Sequence, residues 1–233
     1  IDPQYPMFVL AGVILDRDLS RVHPLNLNAA DEIQEFVSHA WYDYSVGDRQ
    51  GLHPYQGETA FHYSGPEPPF EQLAVEQAYS WLKSPRWRGK VMEVGPLARV
   101  LMLYASGHAQ ARALVDDSLE QLGLPLTALY STMGRTAARA LETKLIVAAM
   151  PGWFEQLLAN FRAGDTRTFN EARWDPATWP KQAQGVGYME APRGALTHYV
   201  VIENGKIANY QAVVPSTWNA GPRDHAGQPG PYE

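Results

Sequence analysis

The stretch ALTHYVVIENGKIANYQAVVPS, Ala195 to Ser216, decides how the C-terminal third of the chain folds. Ala195 to Glu203 alternates in polarity, with Leu196, His198, Val200 and Ile202 on one face, which is the two-residue period of a half-buried strand. Asn204-Gly205 follows, and both residue types accept the left-handed backbone of a tight hairpin turn. Lys206 to Val214 then returns as the antiparallel partner. Arg193 precedes the first strand and Pro215-Ser216 follows the second, so the hairpin brings its two open ends together. Ala191-Pro192-Arg193 and Val214-Pro215-Ser216 then form one local site, with a guanidinium, a hydroxyl and backbone stiffened by proline on both sides. Such a set suits an anion or a ligand with several acceptors. The pattern alone leaves a plainer alternative open and favours it, namely Arg193 paired with a carboxylate such as Glu190.

Upstream of the hairpin the period changes to that of helices. Pro96 opens a helix over PLARVLMLYAS that Gly107 closes, and a second runs from Ala109 to Leu122 with Gly123 as its stop. Pro125 starts a long third helix to Met150, and Pro151 resets the chain into a fourth, PGWFEQLLANFRA, closed by Gly164. These four predict a helical bundle as the core. Near the N-terminus Phe8 to Leu15 reads as one strand. Asn28 reads as an N-cap with Asp31 in a capping-box role, ahead of a helix that buries Ile33, Phe36, Val37, Ala40 and Trp41. Residues 43–75 have no usable period and predict an extended surface excursion pinned by its aromatics. The fold class is therefore α+β, a helix-rich core bundle with a small antiparallel hairpin near the C-terminus.

Composition narrows the function. The chain has 233 residues, 45% apolar, enough for a sizeable core. A net charge of −6 argues against nucleic acid or an anionic membrane as partner. No apolar run reaches the roughly 18 residues of a spanning helix, and no basic segment followed by an apolar one marks a signal peptide. The absence of cysteine removes disulfides and thiolate metal ligands from this chain. The chain opens on Ile1 and stops after a Pro/Gly-rich stretch at Glu233, as expected of a piece of a longer protein. The seven histidines show no ligand spacing; His39, His53 and His62 read as structural and His198 as a satisfied core histidine. Arg135, Arg139 and Glu142 read as a salt-bridged helix face, with Arg99 a similar case, and an electropositive interior is the competing reading. Gly185 to Gly187 lacks the strand and helix context of a phosphate loop, and no nucleophile elbow is present.

MEVGPLAR (Met92 to Arg99), GRTAAR (Gly134 to Arg139), MEAPRGAL (Met189 to Leu196) and VVPSTWNAGPRD (Val213 to Asp224) together resemble the large subunit of nickel–iron uptake hydrogenases. EIQEFVSHAWY, GLHPYQG and YSWLKSPRW add to the likeness in the same order, so it covers nearly all of residues 1–233 as one fragment of that large-subunit domain. The resemblance implies cleavage or formation of H2 at a nickel–iron centre carrying carbon monoxide and two cyanides, with electrons passed to an iron–sulfur small subunit. It implies that both metal-binding cysteine pairs lie outside this fragment, which alone is then inactive. It implies that Arg193 projects over the metal pair, hydrogen-bonds a cyanide and assists cleavage as a base or an electrostatic clamp. Ala191 and Pro192 line the same cyanide pocket, Ser216 reaches the other cyanide, and Val214 and Pro215 wall it. By position alone, the main-chain carbonyl of Ala212 is implied to bind a magnesium ion. Export to the periplasm or membrane together with the small subunit, and membrane association only through partner subunits, are implied as well. A metal-free scaffold related to the quinone-site subunit of respiratory complex I is the alternative, although the intact STWNAGPRD run speaks against it; a non-catalytic paralogue is a third reading.

Overall fold

The computed structural model describes residues 6–66, 76–169 and 171–233. Three helices and a three-stranded sheet carry the architecture, and short strand pairs stitch the N-terminal part to both.

The strand expected over Phe8 to Leu15 is a hairpin, β1 (Met7–Val9) and β2 (Gly12–Ile14), closed by the two-residue turn Leu10-Ala11. Its alternation serves two cores at once. Met7, Val9 and Ile14 pack on the helices, whereas Phe8 and Val13 pack on the sheet side. Phe8 stacks on Trp218 with ring centroids 4.6 Å apart, a close offset contact of two fully buried rings.

The helix expected after Asn28 does not form. Ile33, Phe36, Val37, Ala40 and Trp41 are all buried, but as strand β3 (Ile33–Phe36) and the loop beyond it. β3 pairs antiparallel with β6 (Ser84–Trp87), Ile33 opposite Trp87 and Phe36 opposite Ser84. Both strands are buried on two faces, so neither alternates, and the helical spacing of the apolar residues is coincidental. Pro85 within β6 disguises the partner strand. Asn28 instead accepts from the Tyr55 hydroxyl at 2.9 Å.

The excursion after residue 43 is only partly a surface feature, and residues 67–75 of it lie outside the described residues. β4 (Tyr42–Asp43) pairs with β5 (Ala60–Phe61), beside clustered rings of Trp41, Tyr42, Tyr63 and Trp81. The Gly51 to Pro54 stretch is buried, and a 3-10 turn at Pro54–Gln56 packs on the sheet.

Helices α1 (Pro96–Ala105) and α2 (Ala109–Leu122) have the expected bounds. The third does not. A 3-10 turn at Leu126–Tyr130 precedes α3 (Thr132–Arg162), which runs unbroken through Pro151. A mid-helix proline costs about 3 kcal/mol chiefly through the carbonyl it strands. Here that carbonyl, on Val147, lies on an exposed part of the helix, open to solvent. Only the first turns of α3 pack, through Gly134 and Ala138; Ile146, Val147, Met150, Trp153, Phe154, Leu157 and Phe161 are exposed. The bundle therefore has three helices rather than four.

The sheet is one strand larger than the hairpin expected from the sequence. β7 (Gln182–Ala191), β8 (Gly194–Glu203) and β9 (Lys206–Val213) pair antiparallel in that order. The turn between β8 and β9 is Asn204-Gly205, with φ of 52° and 73°, as its composition demands. Alternation along β8 is present, but the core face is the opposite of the one expected: Ala195, Thr197 and Tyr199 are buried, and Leu196, His198, Val200 and Ile202 are half-buried. Tyr199 decides this, because its ring packs edge-on against His53 and Tyr55 while its hydroxyl donates to the Leu27 carbonyl at 3.1 Å. A short helix, α4 (Pro215–Ala220), follows β9 and buries Thr217, Trp218 and Asn219.

Candidate functional site: the Arg193 turn and its supports

Ala191 pairs with Gly194, so Pro192-Arg193 forms the two-residue turn between β7 and β8. Arg193 therefore stands at a hairpin tip, which the sequence alone did not reveal because β7 was unread. Gly194 has a φ of 135°, and a Cβ there would lie 2.5 Å from Val94 Cγ2 and 2.9 Å from the Gly95 nitrogen. Only glycine lets the turn seat on the loop ahead of α1. On the other side a Cβ on Gly95 would meet the Arg193 carbonyl at 3.1 Å.

The plain reading of Arg193 is overturned. Glu190 turns away from it: one oxygen accepts from the Leu10 amide at 2.9 Å and the other from Arg99 at 3.2 Å. Burial raises the pKa of Glu190, against the opposing pull of the Leu10 amide and Arg99. Arg193 is exposed, and among the described residues its guanidinium meets no carboxylate and no hydrogen-bond acceptor. Arg99 instead spends itself on the base of the turn. Its guanidinium is gripped by both oxygens of Glu142 and donates to the carbonyls of Ala191 and Pro192, each at 2.8 Å.

The second half of the site is carried by α4. Pro215 occupies its first turn and Ser216 is exposed beside it. Val213 lies opposite Thr197, so Val214 to Ser216 leave the sheet at the end where β8 begins. Asn219 clamps both backbone groups of Val94, accepting from its amide at 3.0 Å and donating to its carbonyl at 2.9 Å. The same Val94 backs Gly194, so one residue braces the Arg193 turn and α4 together.

The salt-bridged reading of these arginines holds for Arg99 and Arg135 rather than the competing electropositive interior, since among the described residues each is neutralised by a carboxylate. Arg135 is forked to both Glu93 oxygens at 2.7 and 2.6 Å, and Arg139 is exposed on α3. His39, His53 and His62 each have a protein partner, Arg223 O, Leu27 O and Asp43 respectively, as structural histidines do. His198 meets the Tyr210 hydroxyl on the outer face of the sheet rather than the core.

Ala212 lies elsewhere, in the wall of a cavity of about 190 Å³ that Glu35, Tyr42, Lys83, Gln211 and Thr217 also line. Burial pushes the Glu35 carboxyl up to about 7 and lowers the Lys83 ammonium. Lys83 donates to Gln211 at 3.0 Å. Glu35 escaped the sequence reading because its strand was taken for a helix, and Lys83 because the segment leading into β6 was given no reading. Among the described residues no three His, Cys, Asp or Glu side chains converge to hold a metal.

A family model for nickel-dependent hydrogenase matches residues 2–233. The uptake hydrogenase large subunit of Rhizobium leguminosarum bv. viciae is 48% identical over 228 residues, which are 95% of this chain and 38% of that relative. The hydrogenase-1 large chain of Escherichia coli (strain K12) is 44% identical over 227 residues, again 95% of this chain and 38% of the relative. Among solved structures, the reduced, active Ni-Fe-Se hydrogenase of Desulfomicrobium baculatum superposes with a TM-score of 0.67 at 30% identity, covering 98% of this chain and 45% of that one. The chain thus spans less than half the length of these proteins.

Proposed function

The chain belongs to the nickel-dependent hydrogenase family, and from that premise we propose that it is the part of a nickel–iron hydrogenase large subunit that presents Arg193 to the site of H2 cleavage or formation. The observation that supports this most is an exposed guanidinium without a counter-charge on a turn clamped from three sides. Such a group costs conformational freedom to hold in place and is offset by nothing within the described residues, which suits a partner supplied by the rest of the subunit.

The residues fit the surround of the metal centre rather than its ligands. The chain has no cysteine, so thiolate ligation belongs to segments beyond it. Arg193 and Ser216 are exposed donors at one end of the sheet, and Ala191, Pro192, Val214 and Pro215 are the adjoining walls. When bound, the nickel–iron centre with its carbon monoxide and cyanides supplies the redox chemistry. Arg193 would be placed to donate to one cyanide and to hold positive charge beside the site where H2 reacts, as an electrostatic clamp. The Ser216 hydroxyl would be placed to donate to the other cyanide, with Pro192 and Pro215 as the adjoining walls. An iron–sulfur small subunit takes the electrons, and export with that partner accounts for any membrane association; no helix among the described residues is long and apolar enough to cross a membrane.

Magnesium fits this chain only in part. The Ala212 cavity offers the Glu35 carboxylate, but the Lys83 ammonium lines the same cavity. A hard cation needs six or more oxygens, so the remainder of its shell would have to come from outside this chain.

The test is Arg193→Lys in the full-length subunit assembled with its partner. Turnover should fall on the order of 10²-fold at unchanged nickel and iron content. A fully loaded variant with wild-type turnover removes Arg193 from the mechanism. The family match and the relatives favour this reading over the metal-free scaffold.

A further inference from the structure

Arg99 does more than neutralise two carboxylates. Its side chain is 13% exposed and sits between Glu142 and Glu190. What sets it apart is the second pair of acceptors, the carbonyls of Ala191 and Pro192, each at 2.8 Å. These are the two peptide oxygens immediately before Arg193. The Pro192 carbonyl lies at the centre of a two-residue turn, where the strand ladder offers it no partner. A planar fork of N–H groups reaches two successive carbonyls and two carboxylates at once; an ammonium does not.

We infer that Arg99 is a positioning residue for Arg193, fixing the direction of its side chain by holding the two carbonyls at the base of the turn. The inference rests on the role given to Arg193 above. Glu142 and Glu190 keep the Arg99 fork in register. Val94 and Gly95 hold the far side of the turn, so the Arg99 bonds supply the restraint that the packing leaves open. In this reading Arg99 touches no substrate and acts only through the backbone.

The test uses the full-length subunit with its small subunit and three variants, Arg99→Lys, Arg193→Lys and the double. Amide exchange at Gly194 and Ala195, both buried, should quicken about tenfold or more in Arg99→Lys, while exchange within α2 stays at wild type. Turnover should drop at unchanged metal content. If Arg99 acts through Arg193, the double variant is no slower than Arg193→Lys alone. Losses that multiply, or unchanged exchange at the turn, overturn the inference. Should Arg99→Lys fail to assemble, Glu142→Gln loosens the fork without removing it and should quicken exchange at the same amides by a smaller factor; unchanged exchange there also overturns it. Wild-type turnover in Arg193→Lys would sink the functional reading instead, and the exchange measurement would still report whether Arg99 holds the turn.

Discussion

The Asp224→Asn substitution tests what holds the segment after α4 in place. Asp224 and Arg86 have side chains 1% and 0% exposed. Asp224 Oδ2 accepts from Arg86 Nε at 2.7 Å and Gln228 Nε2 at 3.0 Å, and Oδ1 accepts from the amides of Ala226 and Gln228. Asparagine is the same size and keeps the Oδ1 bonds. In place of Oδ2 it presents an NH2 group to two donors. Two bonds to an ionised carboxylate oxygen are lost, each of about 1.5–3 kcal/mol. The Arg86 guanidinium keeps its bonds to the Pro85 and Gln228 carbonyls but loses the Asp224 charge. The sum is about 3–6 kcal/mol, which brackets the ~3–5 kcal/mol expected for breaking a buried pair. The assay is urea unfolding of the full-length subunit, compared with Arg86→Met and with the Arg86→Met/Asp224→Leu double variant. The double should lose less than the two singles summed, since no unpaired charge stays buried, but it should not recover fully, because the Ala226 and Gln228 amides lose Asp224 Oδ1 as well. A loss below about 1 kcal/mol in Asp224→Asn, or a double variant as unstable as the two singles summed, would refute the reasoning.

Gly194→Ala should cost about 3 kcal/mol, combining backbone strain at φ 135° with a methyl 2.5 Å from Val94 Cγ2; a melting temperature unchanged from wild type would show that the turn does not seat on Val94. Tyr55 N–H donates to His53 Nδ1 while Nε2 faces the Leu27 carbonyl at 3.1 Å, and burial holds this imidazole below its ordinary 6.5. The unfolded chain takes up that proton first, so the contribution of His53 is whole above pH 6.5 and declines below it. The stability gap between wild type and His53→Asn should therefore narrow from about pH 7.5 to about pH 5.5; a gap that widens on acidification reverses the sign and the argument.

What was legible in the sequence was mostly local. Asn204-Gly205 states its turn without help, and Pro96 and Gly123 mark helix bounds that the structure keeps. What failed depended on distant partners. The pairing of β3 with β6 joins segments about fifty residues apart, and Pro85 hides one of them. β7 went unread because Gly185 and Gly187 weaken its pattern, although its ten residues pair with the whole of β8. Pro151 is a helix breaker by chemistry and fails to break because its turn faces solvent. The open ends of the hairpin were legible as one site, but the partner of Glu190 was not, since Leu10 and Arg99 both lie far off in the chain.

The motifs that carry the family resemblance turn out to be contact points of one network. Glu93 of MEVGPLAR takes the fork of Arg135 from GRTAAR. Val94 of the same motif is clamped by Asn219 from VVPSTWNAGPRD and backs Gly194 from MEAPRGAL. Arg99 closes the motif by reaching Glu190, Ala191 and Pro192. Gly134 belongs to the network for a steric reason, since a Cβ there would strike the carbonyls of Ala128 and Leu129 that lead into α3. Two of the motifs, MEAPRGAL and VVPSTWNAGPRD, combine residues that make a junction with an exposed donor, Arg193 in one and Ser216 in the other. The loop from Glu93 to Gly95 is where the helices, the sheet and α4 meet. A disturbance there moves the Arg193 turn and the Ser216 helix start together. A disturbance in the exposed half of α3 meets none of these contacts, so the position of Arg193 depends on the junction rather than on the length of the helices.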